Sequence, residues 1–403
     1  MCDSNAYITK PKGFKASGIC AGLKGNGLLD FNLVYSEYPA TVSGVYTSNL
    51  VKGHSLQRSI ALIDNGNKKR AIAVNAKNAN ACVGAFGISD ADEIASCIAD
   101  ELKVNKDEVL TFSTGVIGIR MPVEQMKSYV PTLVSSLSAD EESAHNAERA
   151  MMTTDTEPKE VSAEITLKDG KVVTVSAMAK GSGMIHPNLA TMICIFTTDA
   201  DIEKPLLDSM LKKAVAHTFN RVSVDGDTSV CDSVLVVANG ASGVTISENT
   251  EDAELFYETL ESLSTDLARM IASDGEGATK FLEIEVYGAK SAEDAKLLVT
   301  SVARSPLCKT AIFGEDANFG RFITACGYSG ATFNPEKIDM YLGDLLVCKD
   351  GDLTVTDEDA AAKLLAEHDI KVTIKLSEGE FYDRMFTCDF SYDYVKINGS
   401  YRS

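Results

Sequence analysis

Residues 179–196 force a sharp bend in the backbone immediately before a buried strand. The segment reads AKGSGMIHPNLATMICIF. Gly181 and Gly183 give the backbone access to positive φ, while Pro187 fixes one φ and favours extended geometry at the residue before it. The apolar run MICIF that follows is typical of a buried strand. The chain therefore turns and enters the core here, with a small residue and a hydroxyl residue at the point of entry.

That pair, Ala190 and Thr191, has two interpretations. If the peptide bond before Thr191 breaks, the threonine becomes an N-terminus, and its own α-amine can act as base for its own hydroxyl. In the other interpretation, Thr191 opens an ordinary buried strand and the glycines form an ordinary loop. The residue pattern alone leaves both open.

Composition and charge restrict the classes of partner. The chain has 403 residues, 45% of them apolar, which is enough for a large core and two or three domains. Its net charge of −20 argues against nucleic acid or an anionic membrane surface as a partner. Neither a secretory signal nor a membrane-spanning apolar stretch is expected. Ten cysteines without a C-x-x-C pair indicate reduced thiols, so a cytoplasmic location is expected.

Helical and strand patterns alternate along the chain, which predicts a mixed α/β fold. The predicted helices cover residues 89–103, 139–152, 202–219, 250–273 and 291–304. The predicted strands include a hairpin at 165–178, a buried strand at 230–240, and two or three antiparallel strands in 370–398. Ser89 is the expected N-cap of the first of these helices, and Asp169-Gly170 is the expected type I′ turn of the hairpin. A soft domain boundary is expected near 283–290.

Three further motifs carry polar residues suited to chemistry. STGVIG, at 113–118, places a hydroxyl residue and a glycine after an apolar segment, as an oxyanion site requires, although a simple strand-to-loop turn has the same pattern. VNAKNANACVGAFG, at 74–87, is either a pocket-lining loop or a loop closed by its own Asn side chains. DGDTSVCDS, at 225–233, offers three aspartates to a magnesium ion or to turn caps.

Taken together and in order, the motifs of this chain resemble those of the ArgJ family of ornithine acetyltransferases, also called glutamate N-acetyltransferases. The motifs are VNAKNANAC, STGVIG, MMTTDT, KGSGMIHPNLATM, DGDTSVCDS, DGEGATK and YDYVKINGSYRS. The resemblance covers nearly the whole chain and implies a DmpA/ArgJ-like N-terminal-nucleophile fold of mixed α/β layers. A smaller C-terminal α+β domain, from about 285 to 403, is part of that expectation. Leu189 stands where the family usually has Met, a swap that conserves volume.

The resemblance implies self-cleavage between Ala190 and Thr191. An α chain, 1–190, and a β chain, 191–403, would assemble as an α2β2 heterotetramer. Thr191 would be the nucleophile, with Thr114 and Gly115 as the oxyanion pair. The implied substrate contacts are Thr154, Lys180, Thr191, Glu276, Asn398 and Ser403. The family often ends in Thr, and the terminal Ser of this chain keeps both the hydroxyl and the carboxylate.

The implied reaction moves acetyl from N-acetyl-L-ornithine to L-glutamate, in arginine biosynthesis, by a ping-pong mechanism through an acetyl-threonine ester. Some members of the family also accept acetyl-CoA, and neither a cofactor nor a metal is expected. An amidase or aminopeptidase of the same nucleophile class is the nearest alternative. A magnesium-dependent phosphotransferase using the aspartates of 225–232 and a non-catalytic binding protein with an intact chain are the others.

Overall fold

The computed structural model describes residues 6–25, 27–186, 192–353 and 357–400, and it confirms a mixed α/β fold. The strands are β1 (Phe14–Ile19), β2 (Phe31–Tyr46), β3 (Lys69–Asn75), β4 (Val109–Ser113), β5 (Lys159–Thr166), β6 (Val172–Lys180), β7 (Ile193–Thr198), β8 (Asp201–Ile202), β9 (Val222–Ser223), β10 (Ser233–Ala238), β11 (Thr245–Ile246), β12 (Phe281–Ala289), β13 (Asp339–Leu342), β14 (Leu345–Lys349), β15 (Asp352–Leu353), β16 (Asp369–Lys375) and β17 (Phe381–Cys388). The helices are α1 (His54–Asp64), α2 (Phe86–Leu102), α3 (Val123–Ser135), α4 (Glu141–Met151), α5 (Lys204–His217), α6 (Glu251–Ser273), α7 (Ala292–Arg304), α8 (Pro306–Phe313), α9 (Gly320–Gly327), α10 (Glu358–Leu365) and α11 (Tyr392–Gly399).

The chain divides into two compact units. The first consists of Met1–Asn220 and Asp227–Leu267, and the second of Arg221–Gly226 and Ala268–Ser403. The main segment of the second unit starts inside α6.

A mixed sheet forms the centre of the first unit. Its strand order is β4-β3-β2-β10-β7-β6-β5, with β1 paired to the first half of the long strand β2. Successive residues of a strand face opposite sides, and Leu33 and Val34 accordingly belong to different apolar clusters. Leu33 packs with Ile94 and Ile98 of α2, whereas Val34 belongs to the cluster that includes residues of α4. Helices thus bury both faces of the strands.

The second unit has a sheet of its own, in the order β15-β14-β13-β16-β12-β17-β9. Leu282, Ile284 and Val286 of β12 are fully buried and pack with Leu298 and Val302 of α7. Strand β12 runs parallel to β16 on one side and antiparallel to β17 on the other.

The structure corrects three local expectations. Helix α2 begins at Phe86, so Ser89 lies inside the helix, where its hydroxyl donates to the Phe86 carbonyl. The 165–178 hairpin is present as β5 and β6, but a type I′ turn needs positive φ at two residues and only Gly170 has it. The tail holds two strands, which flank β12 without pairing to each other, and the third expected strand is the helix α11.

Candidate active site

The predicted oxyanion residues lie just past the end of β4, where two loops pair. Thr114 and Val116 both form bridges with Asn78, and the Val116 N–H donates to the Lys77 carbonyl at 2.9 Å. Gly115, between them, has a φ of +131°, and a Cβ at this position would lie 2.2 Å from the Lys77 carbonyl carbon. Only glycine allows such a close approach of the two backbones.

The hydroxyl of Thr114 is buried and unused. The residue is 1% exposed, and its Oγ1 has no hydrogen-bond partner within the part of the chain that the structure describes. Its backbone N–H donates to the Asn75 carbonyl at 3.0 Å, so the residue is held in place by its main chain. A buried hydroxyl without a partner is costly unless a ligand supplies one. The described contacts therefore leave this hydroxyl available as a hydrogen-bond donor.

Asparagine side chains hold the loop that faces Thr114. Asn75 Nδ2 donates to the Asn78 carbonyl at 2.9 Å, and Asn78 Nδ2 donates to the Ile119 carbonyl at 2.8 Å. Asn78 Oδ1 accepts the Asn80 N–H at 2.8 Å. The Asn side chains therefore close this loop, as one of the two interpretations of residues 74–87 predicts. Its rigidity fixes the geometry of the backbone around Gly115.

The cleavage pair, Ala190 and Thr191, lies outside the described residues, but the next residue is firmly anchored. The Met192 N–H donates to Asp232 Oδ1 at 3.1 Å, and the Met192 carbonyl accepts the Ser233 N–H at 3.0 Å. These two bonds begin the parallel pairing of β7 with β10. The residue that follows the predicted nucleophile is thus held through both its N–H and its carbonyl.

The loop that precedes β10 connects this anchor to the oxyanion loop. Cys231 packs against Ala79 and Val230 in a small apolar cluster, and its Sγ donates to the Ala79 carbonyl at 3.5 Å. The Ala79 N–H in turn donates to the Val116 carbonyl at 3.0 Å. A relay of contacts through Ala79 and Cys231 therefore runs from Val116, next to the predicted oxyanion residues, to the start of β7.

Lys180, the last residue of β6, is part of a buried ionic cluster. Its Nζ donates to Thr153 Oγ1 at 2.7 Å and lies 3.7 Å from Asp155 Oδ2. Lys159 Nζ lies 3.0 Å from the other oxygen of Asp155, and the three charged side chains are at most 1% exposed. Burial alone would raise the pKa of Asp155, but the ammonium groups of Lys180 and Lys159 outweigh it and hold that pKa well below its usual range. The carboxylate is ionised and fixes Lys180.

Sequence reasoning identified Thr154 in this cluster but missed its neighbours. Thr154 is half-buried, and the described contacts of Lys180 go to Thr153 and Asp155 on either side of it. Asp155 also accepts the backbone N–H groups of Thr153 and Gly181. The available signal was the aspartate within MMTTDT, a carboxylate next to a predicted lysine contact.

Two other predicted substrate residues contact each other in the second unit. Asn398 Nδ2 donates to Glu276 Oε2 at 2.7 Å, and Glu276 is 8% exposed. The helix that carries Asn398, α11, is held against the Glu276 loop because Ser391 Oγ caps the helix and donates to the Gly277 carbonyl. A Cβ on Gly277 would lie 2.5 Å from the Tyr394 nitrogen. Ser403 lies outside the described residues.

The aspartates of 225–233 make other contacts. Asp232 binds the Met192 N–H, and Asp225 accepts a long hydrogen bond of 3.4 Å from the Tyr394 hydroxyl. Across the described residues, no cluster of three or more His, Cys, Asp or Glu side chains is arranged to hold a metal ion. In the same ranges, no helix has the length and apolar character needed to cross a membrane.

The sequence matches one known protein family along most of its length. The model of the ArgJ family matches residues 15–403. The chain belongs to the ArgJ family. The arginine biosynthesis bifunctional protein ArgJ of Caldanaerobacter subterraneus is 45% identical over 401 residues, with 98% of each chain aligned. The glutamate N-acetyltransferase of Methanocaldococcus jannaschii is 44% identical over 405 residues, again with 98% of each chain aligned.

These relatives confirm the predicted family and the predicted enzyme class, glutamate N-acetyltransferase. Among solved structures, a chain of the arginine biosynthesis bifunctional protein ArgJ from Bacillus halodurans is 40% identical. The alignment covers 50% of this chain and 96% of that one, with a TM-score of 0.49.

Proposed function

We propose that this chain is a self-cleaving acetyltransferase that moves acetyl from N-acetyl-L-ornithine to L-glutamate. Cleavage between Ala190 and Thr191 creates the nucleophile. The observation that carries the proposal is the buried hydroxyl of Thr114 beside Gly115, which has no partner among the described residues and whose loop is connected through Ala79 and Cys231 to the start of β7. An acyl-transfer enzyme needs such a donor close to its nucleophile.

Self-cleavage at this position is compatible with a folded product. Strand β6 pairs antiparallel with β7 along its length, and β7 pairs parallel with β10. The strands on the two sides of the cut therefore remain joined by sheet hydrogen bonds and by a common core. We propose that the α chain, 1–190, and the β chain, 191–403, stay associated and assemble as an α2β2 heterotetramer in the cytoplasm.

The reaction proceeds in two acyl-transfer steps. Thr191 Oγ attacks the acetyl carbonyl of N-acetylornithine while the Thr191 α-amine takes the hydroxyl proton. The tetrahedral intermediate places its negative charge at the Thr114 and Gly115 donors, then expels ornithine, whose amine receives the proton. Glutamate enters as the second amine, attacks the acetyl-threonine ester, and leaves as N-acetylglutamate, restoring the hydroxyl of Thr191. No cofactor is needed, because the acetyl group passes from one amine to the other through the ester.

The charged substrate groups match the charged residues proposed as contacts. Lys180 offers an ammonium to an α-carboxylate, and Asp155 holds that ammonium in place. Glu276 offers a carboxylate to a substrate ammonium, and Asn398 positions that carboxylate. Thr154 and Ser403 complete the proposed contacts. Acetyl-CoA is proposed as a second acetyl donor, in line with the relatives that are named bifunctional.

The test combines cleavage with acyl transfer. Purified protein is exposed briefly to N-acetylornithine and examined by intact mass spectrometry. We expect one chain that ends at residue 190 and a second chain that starts at residue 191 and carries one added acetyl group. That acetyl group should be released when glutamate is supplied. If the acetyl group is released equally fast without glutamate, water is the acceptor and the enzyme is an amidase.

Substitution supplies the control. Thr191→Ala should give a single uncut chain without transfer, and Thr191→Ser should retain cleavage because it keeps a hydroxyl. Thr198→Ala, the same change at the other end of β7, should be cleaved and active. A cut Thr191→Ala chain would contradict the proposal.

A further inference from the structure

Asp232 is a fully buried carboxylate with only one oxygen in a close hydrogen bond. It is 0% exposed, its Oδ1 accepts the Met192 N–H at 3.1 Å, and its Oδ2 makes no close hydrogen bond in the described part of the chain, although the Ser229 and Thr47 hydroxyls lie near the carboxyl. Burying a carboxyl group with only one oxygen in a close hydrogen bond is unfavourable. A residue kept in that state needs an explanation beyond the packing of the core.

The backbone around Asp232 is fixed from several directions. Its carbonyl accepts the Thr47 N–H at 3.1 Å, and the Thr47 hydroxyl donates to the Ser229 carbonyl at 2.8 Å. The Gly53 N–H donates to the Val230 carbonyl at 2.8 Å. These hydrogen bonds fix the backbone that carries the Asp232 side chain. The carboxyl group is therefore held next to the Met192 N–H.

Among the described hydrogen bonds, the Met192 N–H donates to the Asp232 carboxyl. In a regular sheet the N–H of the first strand residue pairs with a neighbouring carbonyl, but here a side-chain carboxyl takes that place. The Met192 N–H is one peptide unit from Thr191.

We infer that Asp232 is a positioning residue that, through the Met192 N–H, sets the orientation of Thr191 for both self-cleavage and acetyl transfer. The inference rests on the proposed function. It adds a residue to the reaction that the family resemblance does not supply. A nucleophile displaced by about 1 Å loses on the order of 10²-fold in rate, so an anchor this close to the reacting group has kinetic consequences.

The carboxyl acts here as a neutral hydrogen-bonding group. Burial raises the pKa of Asp232 well above its usual range, and the hydrogen bonds from the Met192 N–H and the Ser229 and Thr47 hydroxyls, together with the Lys180 ammonium, offset this only in part. A neutral carboxyl has one accepting and one donating oxygen, as an asparagine amide has one accepting oxygen and one donating nitrogen. Asparagine should therefore replace the function of Asp232, whereas alanine should not.

The experiment compares Asp232→Ala and Asp232→Asn with the wild-type chain. The rate of appearance of the 191–403 fragment is followed by mass spectrometry, and kcat and KM for N-acetylornithine are measured on the cleaved protein. We expect Asp232→Ala to slow cleavage and to lower kcat by about 10²-fold at nearly unchanged KM, because the substrate contacts are intact. Asp232→Asn should recover most of both rates.

Asp199 provides the matched control at the opposite end of β7. It is 2% exposed, and its carboxylate accepts the backbone N–H groups of Thr174 at 2.9 Å and Lys12 at 3.3 Å. Asp199→Ala removes a buried carboxylate that also accepts backbone N–H groups. It should therefore lower the stability of the fold as Asp232→Ala does, but without displacing Thr191. It should cleave and turn over like the wild-type chain wherever it remains folded.

The outcomes are separable. Asp232→Ala behaving like Asp199→Ala would overturn the inference, and so would Asp232→Asn being as impaired as Asp232→Ala, since the charge would then be what matters. If Asp232→Ala fails to fold, the Asp232→Asn variant decides alone by its kcat. A wild-type chain that is neither cleaved nor acetylated would contradict the proposed function instead.

Discussion

At the scale of single residues, the hydroxyl of Thr114 is the most direct test of the oxyanion assignment. Thr114→Val removes Oγ1 and keeps the branched shape, and no described hydrogen bond is lost with it. Because the hydroxyl is proposed to bind only the charged intermediate, kcat should fall by about 10²–10³-fold, with KM and thermal stability little changed. Steady-state kinetics with N-acetylornithine and glutamate measure this.

The control for that substitution lies three residues earlier on β4. Thr111 is also buried, at 4% exposure, and its Oγ1 likewise has no partner among the described residues. Thr111→Val should leave kcat unchanged. Equal effects of the two substitutions would show that the Thr114 hydroxyl has no special role and that the strand simply tolerates valine poorly.

Sequence reasoning reached Thr114 but not Asp232, and the physical reason is separation along the chain. The STGVIG motif contains both oxyanion candidates within two adjacent positions. The contact between Asp232 and Met192 joins residues 40 positions apart, through the parallel pairing of β7 and β10. Parallel pairing leaves no local pattern that names the partner strand. The motif around Asp232 instead suggested a metal site or a turn cap.

At the scale of secondary-structure elements, the last helix holds one of the candidate contacts. Ser391 caps α11 by accepting the Asp393 N–H, and it also binds the Gly277 carbonyl. Ser391→Ala should destabilise the chain by about 1 kcal/mol through loss of the cap. Since α11 carries Asn398 to Glu276, KM for N-acetylornithine should also rise several-fold, as measured by initial rates.

Ser291 is the matched cap in the same unit. Its hydroxyl accepts the Asp294 N–H at 3.1 Å at the start of α7. Ser291→Ala should therefore show a similar loss of stability with an unchanged KM. A rise in KM for both variants would mean that general loosening of the second unit, and not the position of α11, controls binding.

The elements themselves were predicted well where the signal is local. Helices α4, α5, α6 and α7 begin and end within about two residues of the predicted limits, because amphipathic periodicity and caps lie within the segment. The prediction for residues 370–398 was less accurate because the contacts that decide it are not local. The alternation of this segment correctly indicated β16 and β17, but their common neighbour β12 lies some eighty residues earlier, and the Ser391 cap that starts a helix outweighed the alternation that followed.

At the scale of the whole molecule, buried carboxyl groups make the stability of the fold depend on pH. Glu148 of α4 is 0% exposed; its Oε1 accepts the Lys159 N–H at 3.2 Å, and its Oε2 has no partner in the described ranges. Burial, reinforced by the nearby Glu160 carboxylate, raises the pKa of Glu148 to about 8. The unfolded chain ionises this group near about 4.3.

Between these two pKa values, the folded chain holds a proton that the unfolded chain has released. The free energy of unfolding should therefore be greatest below about pH 4.3 as far as Glu148 is concerned, and should fall by up to about 1.4 kcal/mol per pH unit until about pH 8. Glu148→Gln keeps a neutral group of the same shape and should remove this dependence. Urea unfolding at several pH values measures it, in the Thr191→Ala background, where we expect a single uncut chain. Glu142→Gln, on the exposed side of the same helix, should leave the pH dependence of the unfolding free energy unchanged.

If that pH dependence persists in Glu148→Gln, the proton belongs to another buried group near Glu148. Glu160 is the first to examine, because burial raises its pKa as well.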